Sequence, residues 1–267
     1  MEELRLSGYR EPLGLWVRRV PPPERAPDVR AYRIEYSSRG DRVSGRLWLP
    51  RNPGGECPLV SVQPAGSREA EQGALDEILS GWVARGVAVA SIDLPLRGGR
   101  ADPKLSALVG TPFQPGTLEN AEPLRFELAR QAVIDLERAL DALCTLDEID
   151  RDQIAFVGLG LGAMIGAAFC ALDPRPRGAA LAGAGAGLAE RSVDPGSYLG
   201  RFAPRPLLLL NAEDGEVPRA AAAALARAAG ESCEQRWLAA SDDLAATLAA
   251  IWTFLETLLG LPSPARS

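Results

Sequence analysis

The sequence predicts an α/β protein whose mostly parallel sheet carries helices on both faces and begins with an antiparallel hairpin. Two observations support this fold class. Residues 29–38 and 43–49 alternate apolar and polar side chains on either side of the turn Arg39-Gly40-Asp41, which is typical of a hairpin. Further along the chain, short apolar runs alternate with amphipathic segments, and such repeated strand–helix units build parallel sheets that are buried on both sides.

Each later element is predicted from its hydrophobic period. Six short apolar runs predict strands, which together with the hairpin makes eight: 59–63, 87–92, 154–157, 179–182, 207–210 and 235–238. Apolar residues at helical spacing predict the helices: a segment at 75–83 that ends at Gly86, then 124–143, 161–172, 219–229 and 244–259.

No linker or internal repeat divides the chain, so we expect one domain over residues 29–260, followed by a tail at 261–267. Residues 1–28 are predicted to form an irregular arm, because the run Pro21-Pro22-Pro23 and the nearby Pro27 are unfavourable for regular structure. A stretch rich in proline and glycine at about 98–123 is longer than ordinary connections, and it is predicted to be an insertion.

The absence of histidine from all 267 residues excludes several chemistries for this chain. A Ser-His-Asp site, a Cys-His site and a His-ligated zinc site all require imidazole. The four cysteines are isolated in the sequence, with no C-x-x-C pair, so we expect neither a metal site nor a disulfide framework. No cofactor is expected.

The negative net charge of the chain limits which partners it can bind. A formal net charge of −6 and a pI near 5.0 argue against nucleic acid, because phosphate binding requires a clustered positive surface. No signal peptide and no apolar run of membrane-spanning length is recognisable. We therefore expect a soluble cytoplasmic protein that has no membrane partner.

The most informative segment, at 153–166, is a buried strand that runs into a glycine-rich turn and then a helix. Gly158-x-Gly160-x-x-Ala163 fits a dinucleotide fingerprint, which also needs an acidic residue at the end of the next strand. That strand is followed by glycine and alanine, with no acidic residue before Glu190. Nucleotide binding at this turn stays an alternative, beside an interpretation in which the glycines only permit close packing.

The same turn reads Gly158-Leu-Gly160-Leu-Gly162 and follows the segment IDRDQIAFVG. Three further segments lie around it in the chain: 59–66, a strand and its loop; 92–98, with the pattern D-x-P-x-x-G; and 211–218, NAEDGEVP. Together, over about residues 30–260, they resemble the α/β-hydrolase superfamily, in particular its dienelactone-hydrolase, acetyl-xylan-esterase and peptidase-like branch. The resemblance implies an eight-stranded α/β-hydrolase fold whose nucleophile elbow, G-x-S-x-G, is this turn.

Compared position by position, the resemblance implies that most of the family's catalytic residues are missing. Gly160 stands at the nucleophile position, and no histidine occurs between the last strand and the last helix, where the base belongs. Gln63 begins a loop that commonly starts with His-Gly in relatives, and Arg97 stands where relatives often carry histidine. Asp214 alone matches the triad, as its acid.

These positions predict a pseudoenzyme that binds a small acyl or carboxylate ligand, or a protein partner, including a second copy of the chain in a homo-oligomer. The Leu161 N–H and a loop N–H at 64–66 are expected to form an anion-binding nook. The candidate ligand-binding residues lie on the matched segments: Gln63, Gly66, Arg97, Gly160, Leu161, Asp214 and Asp242.

Two questions stay open at this point. An enzyme with a non-standard site would use Asp214 with Asp242 or with a hydroxyl of Ser67 or Ser241, although neither serine has an imidazole to activate it. The favoured interpretation is that Asp242 and Asp243 cap the last helix. The apolar residues of the 98–123 insertion either lie across the nook as a lid or bury themselves against the body.

Overall fold

The computed structural model describes residues 11–24, 26, 28–52, 54–64, 75–76, 79–111, 113–239 and 243–261. Within them, nine strands form one sheet in the order β1-β2-β3-β5-β4-β6-β7-β8-β9. The strands are β1 (Trp16–Val20), β2 (Val29–Ser38), β3 (Asp41–Pro50), β4 (Cys57–Gln63), β5 (Ala88–Ile92), β6 (Ile149–Leu159), β7 (Gly178–Ala182), β8 (Leu207–Ala212) and β9 (Cys233–Leu238). Pairs from β1 to β5 along this order are antiparallel, and all pairs from β5 to β9 are parallel. The predicted fold class is confirmed.

Helices cover this sheet. In the described ranges they are Pro103–Val109, the long helix Glu122–Leu143, the elbow helix Leu161–Leu172, Arg219–Ala229 and the final helix Leu244–Leu258, and residues 79–83 are helical as well. Short 3-10 turns occur at Gly98–Arg100, Pro195–Ser197 and Leu199–Arg201. None of the helices described here is long and apolar enough to cross a membrane.

Alternate residues of the central strands face opposite sides of the sheet, so two cores form. In β6, Phe156 belongs to the core beneath the long helix and the elbow helix, whereas Val157 belongs to the core beneath the final helix. On the first face, the ring centroids of Phe156 and Phe169 lie 5.2 Å apart. On the second, those of Trp82 and Trp252 lie 5.6 Å apart, which joins residues 79–83 to the final helix. The sheet is therefore buried on both sides, as predicted.

One part of the predicted outline is wrong, because residues 1–28 are not irregular throughout. Trp16–Val20 forms β1 and pairs with β2, from Trp16 opposite Glu35 to Val20 opposite Ala31. The first four residues of β1 are exposed, so the strand shows no apolar alternation in the sequence. An edge strand is ordered by hydrogen bonds to a single neighbour, which hydrophobic periodicity does not report. The sheet has one strand more than the eight expected.

The strand order changes direction at β4, which has β5 on one side and β6 on the other. Gln63, the last residue of β4, lies opposite Gly158 of β6. In open parallel sheets, ligands bind outside the carboxyl ends of the strands at such a switch point. The turn at Gly160 follows β6 directly, so the topology places it where this class of fold binds its ligands.

A buried ion pair anchors the start of the insertion. The Arg100 guanidinium donates to Asp135 of the long helix at 2.6 Å and to Asp41 of the hairpin at 2.6 Å. The Asp135 side chain is fully buried, and that of Arg100 is only 12% exposed. Burial raises the pKa of the Asp135 carboxyl, and the adjacent Arg100 guanidinium opposes that rise. The pair ties the insertion to both the long helix and the hairpin.

Asp135→Ala is expected to lower the free energy of unfolding by about 3–5 kcal/mol, because it leaves a largely buried guanidinium without its main partner. The matched control is Asp28→Ala, which breaks an ion pair with Arg51 between side chains that are 80% and 63% exposed. Its expected cost is about 0–1 kcal/mol. Denaturant unfolding followed by circular dichroism compares the two variants, and equal losses would contradict the anchoring role of Asp135.

Candidate ligand site at the carboxyl edge of the sheet

The turn after β6 keeps the backbone conformation of an elbow. Gly160 has φ 51° and ψ −116°, which residues with a side chain rarely adopt and glycine adopts freely. Its N–H donates to the carbonyl oxygen of Ala182 in β7 at 2.8 Å. Its own carbonyl accepts from the N–H groups of Ala163 and Met164 at 3.0 Å, which starts the elbow helix. The turn therefore holds its shape with no side chain at the apex.

Two glycines that flank the apex let the elbow helix approach the sheet. A Cβ atom at Gly158 would lie 2.6 Å from the Cα of Ala163, and one at Gly162 would lie 2.0 Å from the backbone oxygen of Gln63. Those partners are backbone atoms, so neither position has room for a side chain. Close packing thus explains Gly158 and Gly162, and it brings the N-terminus of the elbow helix against the end of β4.

Two cavities meet at Gly160. The smaller has a volume of about 320 Å³ and the larger about 650 Å³, and both walls include Gly160, Gly183, Glu216 and Val217. The larger cavity is also bordered by three residues of the insertion: Thr111, Phe113 and Gln114. The space above the elbow is therefore open, and the insertion forms one of its sides.

The apolar residues of the insertion divide between the two roles considered from the sequence. Val109 is fully buried, and Phe113 packs against the core while it also lines the larger cavity. Leu105, Leu108 and Leu118 stay between 38% and 47% exposed. The insertion is a wall of the cavity and does not fill it.

Arg97 and Leu161, two of the predicted ligand residues, both line the larger cavity. Arg97 lies in the turn after β5, where its backbone N–H donates to the Leu94 carbonyl at 3.0 Å. Its half-buried side chain makes no ion pair or hydrogen bond with the part of the chain that the structure describes. Leu161 begins the elbow helix, so its N–H has no acceptor within that helix. Both groups offer donors to an anion.

Gln63 is not brought together with Gly160. Its side chain is buried, and Nε2 donates to the carbonyl oxygen of Ile92 at 2.9 Å, which ties β4 to β5. It lines a separate cavity of about 370 Å³, which is bordered by β2, β3 and the start of the helix at 79–83. Arg97 lines both this cavity and the larger one at Gly160. Gln63 therefore connects two strands next to the site, and its side chain lines the neighbouring cavity.

The loop after β8 presents a different acid from the one expected. Asp214 and Glu216 are both exposed, and Glu216 is the acidic residue of this loop that lines both cavities at Gly160. Asn211, buried at the end of β8, lines the smaller cavity and donates from Nδ2 to the Ala184 carbonyl at 3.0 Å. Sequence reasoning missed Glu216 and Asn211. Both stand in the segment NAEDGEVP, where only the acid of the D-x-x-V-P pattern had been considered.

Four residues singled out in the sequence, Gly66, Ser67, Ser241 and Asp242, lie outside the described residues. Asp243 caps the final helix, because its carboxylate accepts from the N–H of Ala246 at 2.8 Å. The capping interpretation is therefore confirmed for Asp243.

Burial disfavours the thiolate form of the cysteines. Burial raises the pKa of Cys57, Cys144 and Cys170, and it raises the pKa of Cys233 to about 11. A reactive cysteine needs the opposite shift, toward the thiolate. None of the four thiols therefore has the lowered pKa of a reactive cysteine.

These features define a class of protein. The sheet order, the elbow after β6 and the acidic loop after β8 together make an α/β-hydrolase fold. Among solved structures, acetyl xylan esterase from Paenibacillus sp. R4 superposes with a TM-score of 0.70 at 20% identity, covering 92% of this chain and 89% of that one. Glucuronoyl esterase from Solibacter usitatus gives 0.69 at 14% identity, covering 95% and 88%. A cold-adapted esterase from an Arctic intertidal metagenomic library gives 0.65 at 19% identity, covering 87% and 95%.

The sequence model of the family Acetyl xylan esterase (AXE1) matches residues 20–182, which is more than half of the chain. The chain therefore belongs to the acetyl xylan esterase (AXE1) family, and the resemblance inferred from its motifs is confirmed. The match includes the elbow and ends before the loop that carries Asp214 and Glu216. No curated protein sequence matches the chain.

Gly162→Ala is expected to lower the free energy of unfolding by about 1–3 kcal/mol or more, because its methyl group would meet the backbone oxygen of Gln63. The matched control is Gly81→Ala, at a helical position where a Cβ atom meets nothing within 4 Å. That substitution should raise stability by up to about 1 kcal/mol through helix propensity. Urea denaturation measures both, and a neutral effect at Gly162 would refute the close approach of the elbow helix.

The raised pKa values of the cysteine thiols lead to two predictions: slow alkylation of the native protein at neutral pH, and a loss of stability at alkaline pH. Iodoacetamide should label the native protein slowly at neutral pH and all four thiols after unfolding, as measured by mass spectrometry.

Cys233 has a raised folded-state pKa, so its contribution to stability is complete below the unfolded pKa near 9 and is lost as pH rises toward about 11. Stability should fall across that interval, and less in Cys233→Ser. An identical fall in both proteins would contradict the shift.

Proposed function

We propose that this chain is a non-hydrolytic member of its family that binds a small acyl or carboxylate ligand in the cavities at Gly160. One observation carries the proposal: the apex of the elbow is a glycine, in a chain without histidine. Loss of the nucleophile or the base from a serine triad each costs several orders of magnitude in rate. A site that lacks both retains binding and anion stabilisation as its available functions.

The shape and charge of the cavities support a bound ligand. The larger cavity combines the Arg97 guanidinium and the Leu161 N–H with an apolar wall of Phe113, Met164 and Leu188. Arginine is well suited to carboxylates because its planar fork donates two parallel hydrogen bonds. An apolar wall beside such a group fits the hydrocarbon part of an acyl compound.

Family membership favours one second candidate, an esterase with a non-standard site that uses Asp214. This candidate predicts ester turnover that Asp214→Asn abolishes while the melting temperature stays the same.

A protein partner or a second copy of the chain is a further proposal, for which light scattering of the purified protein and of its mixtures is the measurement.

The purified protein should neither react with a fluorophosphonate probe nor hydrolyse p-nitrophenyl esters above the rate of heat-denatured protein, because no activated hydroxyl is available. A known serine esterase run in parallel is the positive control. Labelling or turnover that Ser67→Ala or Ser241→Ala removes would overturn the non-hydrolytic proposal.

Ligand binding is tested with 3-phenylpropanoate, a carboxylate with an apolar body. At about a hundred times its Kd, a ligand adds roughly 2.7 kcal/mol to stability, so the melting temperature should rise by several degrees. Arg97→Gln should abolish the rise, whereas Arg151→Gln, which removes an exposed arginine at the opposite end of β6, should keep it. A melting temperature that does not respond in the wild-type protein would count against this class of ligand.

A further inference from the structure

Two opposite charges border the larger cavity without neutralising each other. Arg97 and Glu216 both lie in its wall, and neither makes an ion pair or hydrogen bond with the described part of the chain. By contrast, the largely buried guanidinium of Arg100 is paired with Asp135 at 2.6 Å. Arg97 and Glu216 therefore place a cation and an anion in the wall of one cavity, and neither has a partner among the described residues.

The sheet explains why these two side chains do not meet. Arg97 follows β5 and Glu216 follows β8, and three strands, β4, β6 and β7, lie between β5 and β8. Neighbouring strands are about 4.8 Å apart, so the two strand ends are separated by roughly 19 Å. Gly160 and Leu161 follow β6, which lies between β5 and β8 in the sheet, and they line the same cavity.

We infer that the ligand is a zwitterion with its charges at opposite ends of a short, partly apolar body, as in a di- or tripeptide with free termini. The inference rests on the proposed function, because it places the ligand in the same cavity. Arg97 would bind the terminal carboxylate and Glu216 the terminal ammonium. Both bonds are charge-assisted and link groups that have no partner among the described residues.

The rest of the wall fits a peptide body. A carbonyl in the middle of the ligand would accept from the Leu161 N–H, while Thr111 and Gln114 offer polar side chains along the same wall. Phe113, Met164 and Leu188 offer apolar contact for a side chain. Gly160 has no hydroxyl to attack an amide, so the peptide is bound and released intact.

The decisive experiment is calorimetric titration with peptides of nearly equal size. The probes are alanylphenylalanine, its N-acetyl form, which lacks the ammonium, and its C-terminal amide, which lacks the carboxylate. A hydrogen bond between charged groups is worth about tenfold or more in affinity. Each blocked peptide should bind at least tenfold more weakly than the free one. Free phenylalanine, whose two charges share one carbon, should also bind at least tenfold more weakly.

Two variants assign the ends. Glu216→Gln should weaken binding of the free peptide to the level of the N-acetyl peptide and leave the N-acetyl peptide within twofold of wild type. Arg97→Gln should weaken binding of the free peptide to the level of the C-terminal amide, and it should leave binding of the amide within twofold of wild type. Glu119→Gln and Arg151→Gln remove like charges from exposed positions outside the cavity, and they should change nothing.

The outcomes separate this inference from the function on which it rests. If blocked and free peptides bind equally while 3-phenylpropanoate binding still depends on Arg97, the inference of a zwitterionic ligand is overturned. The proposal of a carboxylate site then stands. If free phenylalanine matches the dipeptide, the placement of the charges at opposite ends is overturned. If neither the peptide nor 3-phenylpropanoate binds, both proposals fail.

Discussion

The backbone contact between Gly162 and the carbonyl oxygen of Gln63 sets the geometry of the site. A Cβ atom at Gly162 would lie 2.0 Å from that oxygen, so the elbow helix reaches the end of β4 only because no side chain intervenes. This approach places the apex, Gly160, at the switch point of the sheet, where the loops after β5 and β8 surround it. The cavities take their position from a packing constraint beside the apex, and the apex residue itself contributes no side chain.

This arrangement explains how the elbow turn keeps its shape with a glycine at the apex. In a hydrolase of this fold, the strained turn lifts a serine above the sheet. Here Gly160 keeps a positive φ of 51° at no steric cost, and its backbone hydrogen bonds to β7 and within the elbow helix remain. The scaffold is therefore stable whether or not chemistry occurs on it. Family membership identifies the scaffold, while the residues at the site decide what it does.

Ion pairs join parts of the body, whereas Arg97 at the cavity has no ion pair with a described residue. Arg100 with Asp135, and Arg175 with Asp141, join elements of the body. A buried charge must be paired, since an uncompensated one is strongly destabilising. A charge that borders an open cavity keeps contact with water, so it can stay unpaired at little cost. Arg97 is placed in this way, in a protein whose formal net charge is −6.

The sequence by itself determined the order of most strands and helices, the glycine turn at 158–162 and the exclusion of imidazole chemistry, because apolar periodicity, glycine spacing and the absence of histidine are local or compositional properties. Only the tertiary structure decided which side chains share a cavity. It moved Gln63 to a neighbouring cavity, brought Glu216 instead of Asp214 to the elbow, and ordered the exposed strand Trp16–Val20 against β2. The physical reason is that Arg97 and Glu216 are far apart in the chain and face one cavity only through the order of the strands between them. Local sequence patterns report burial, and they do not report such long-range neighbours.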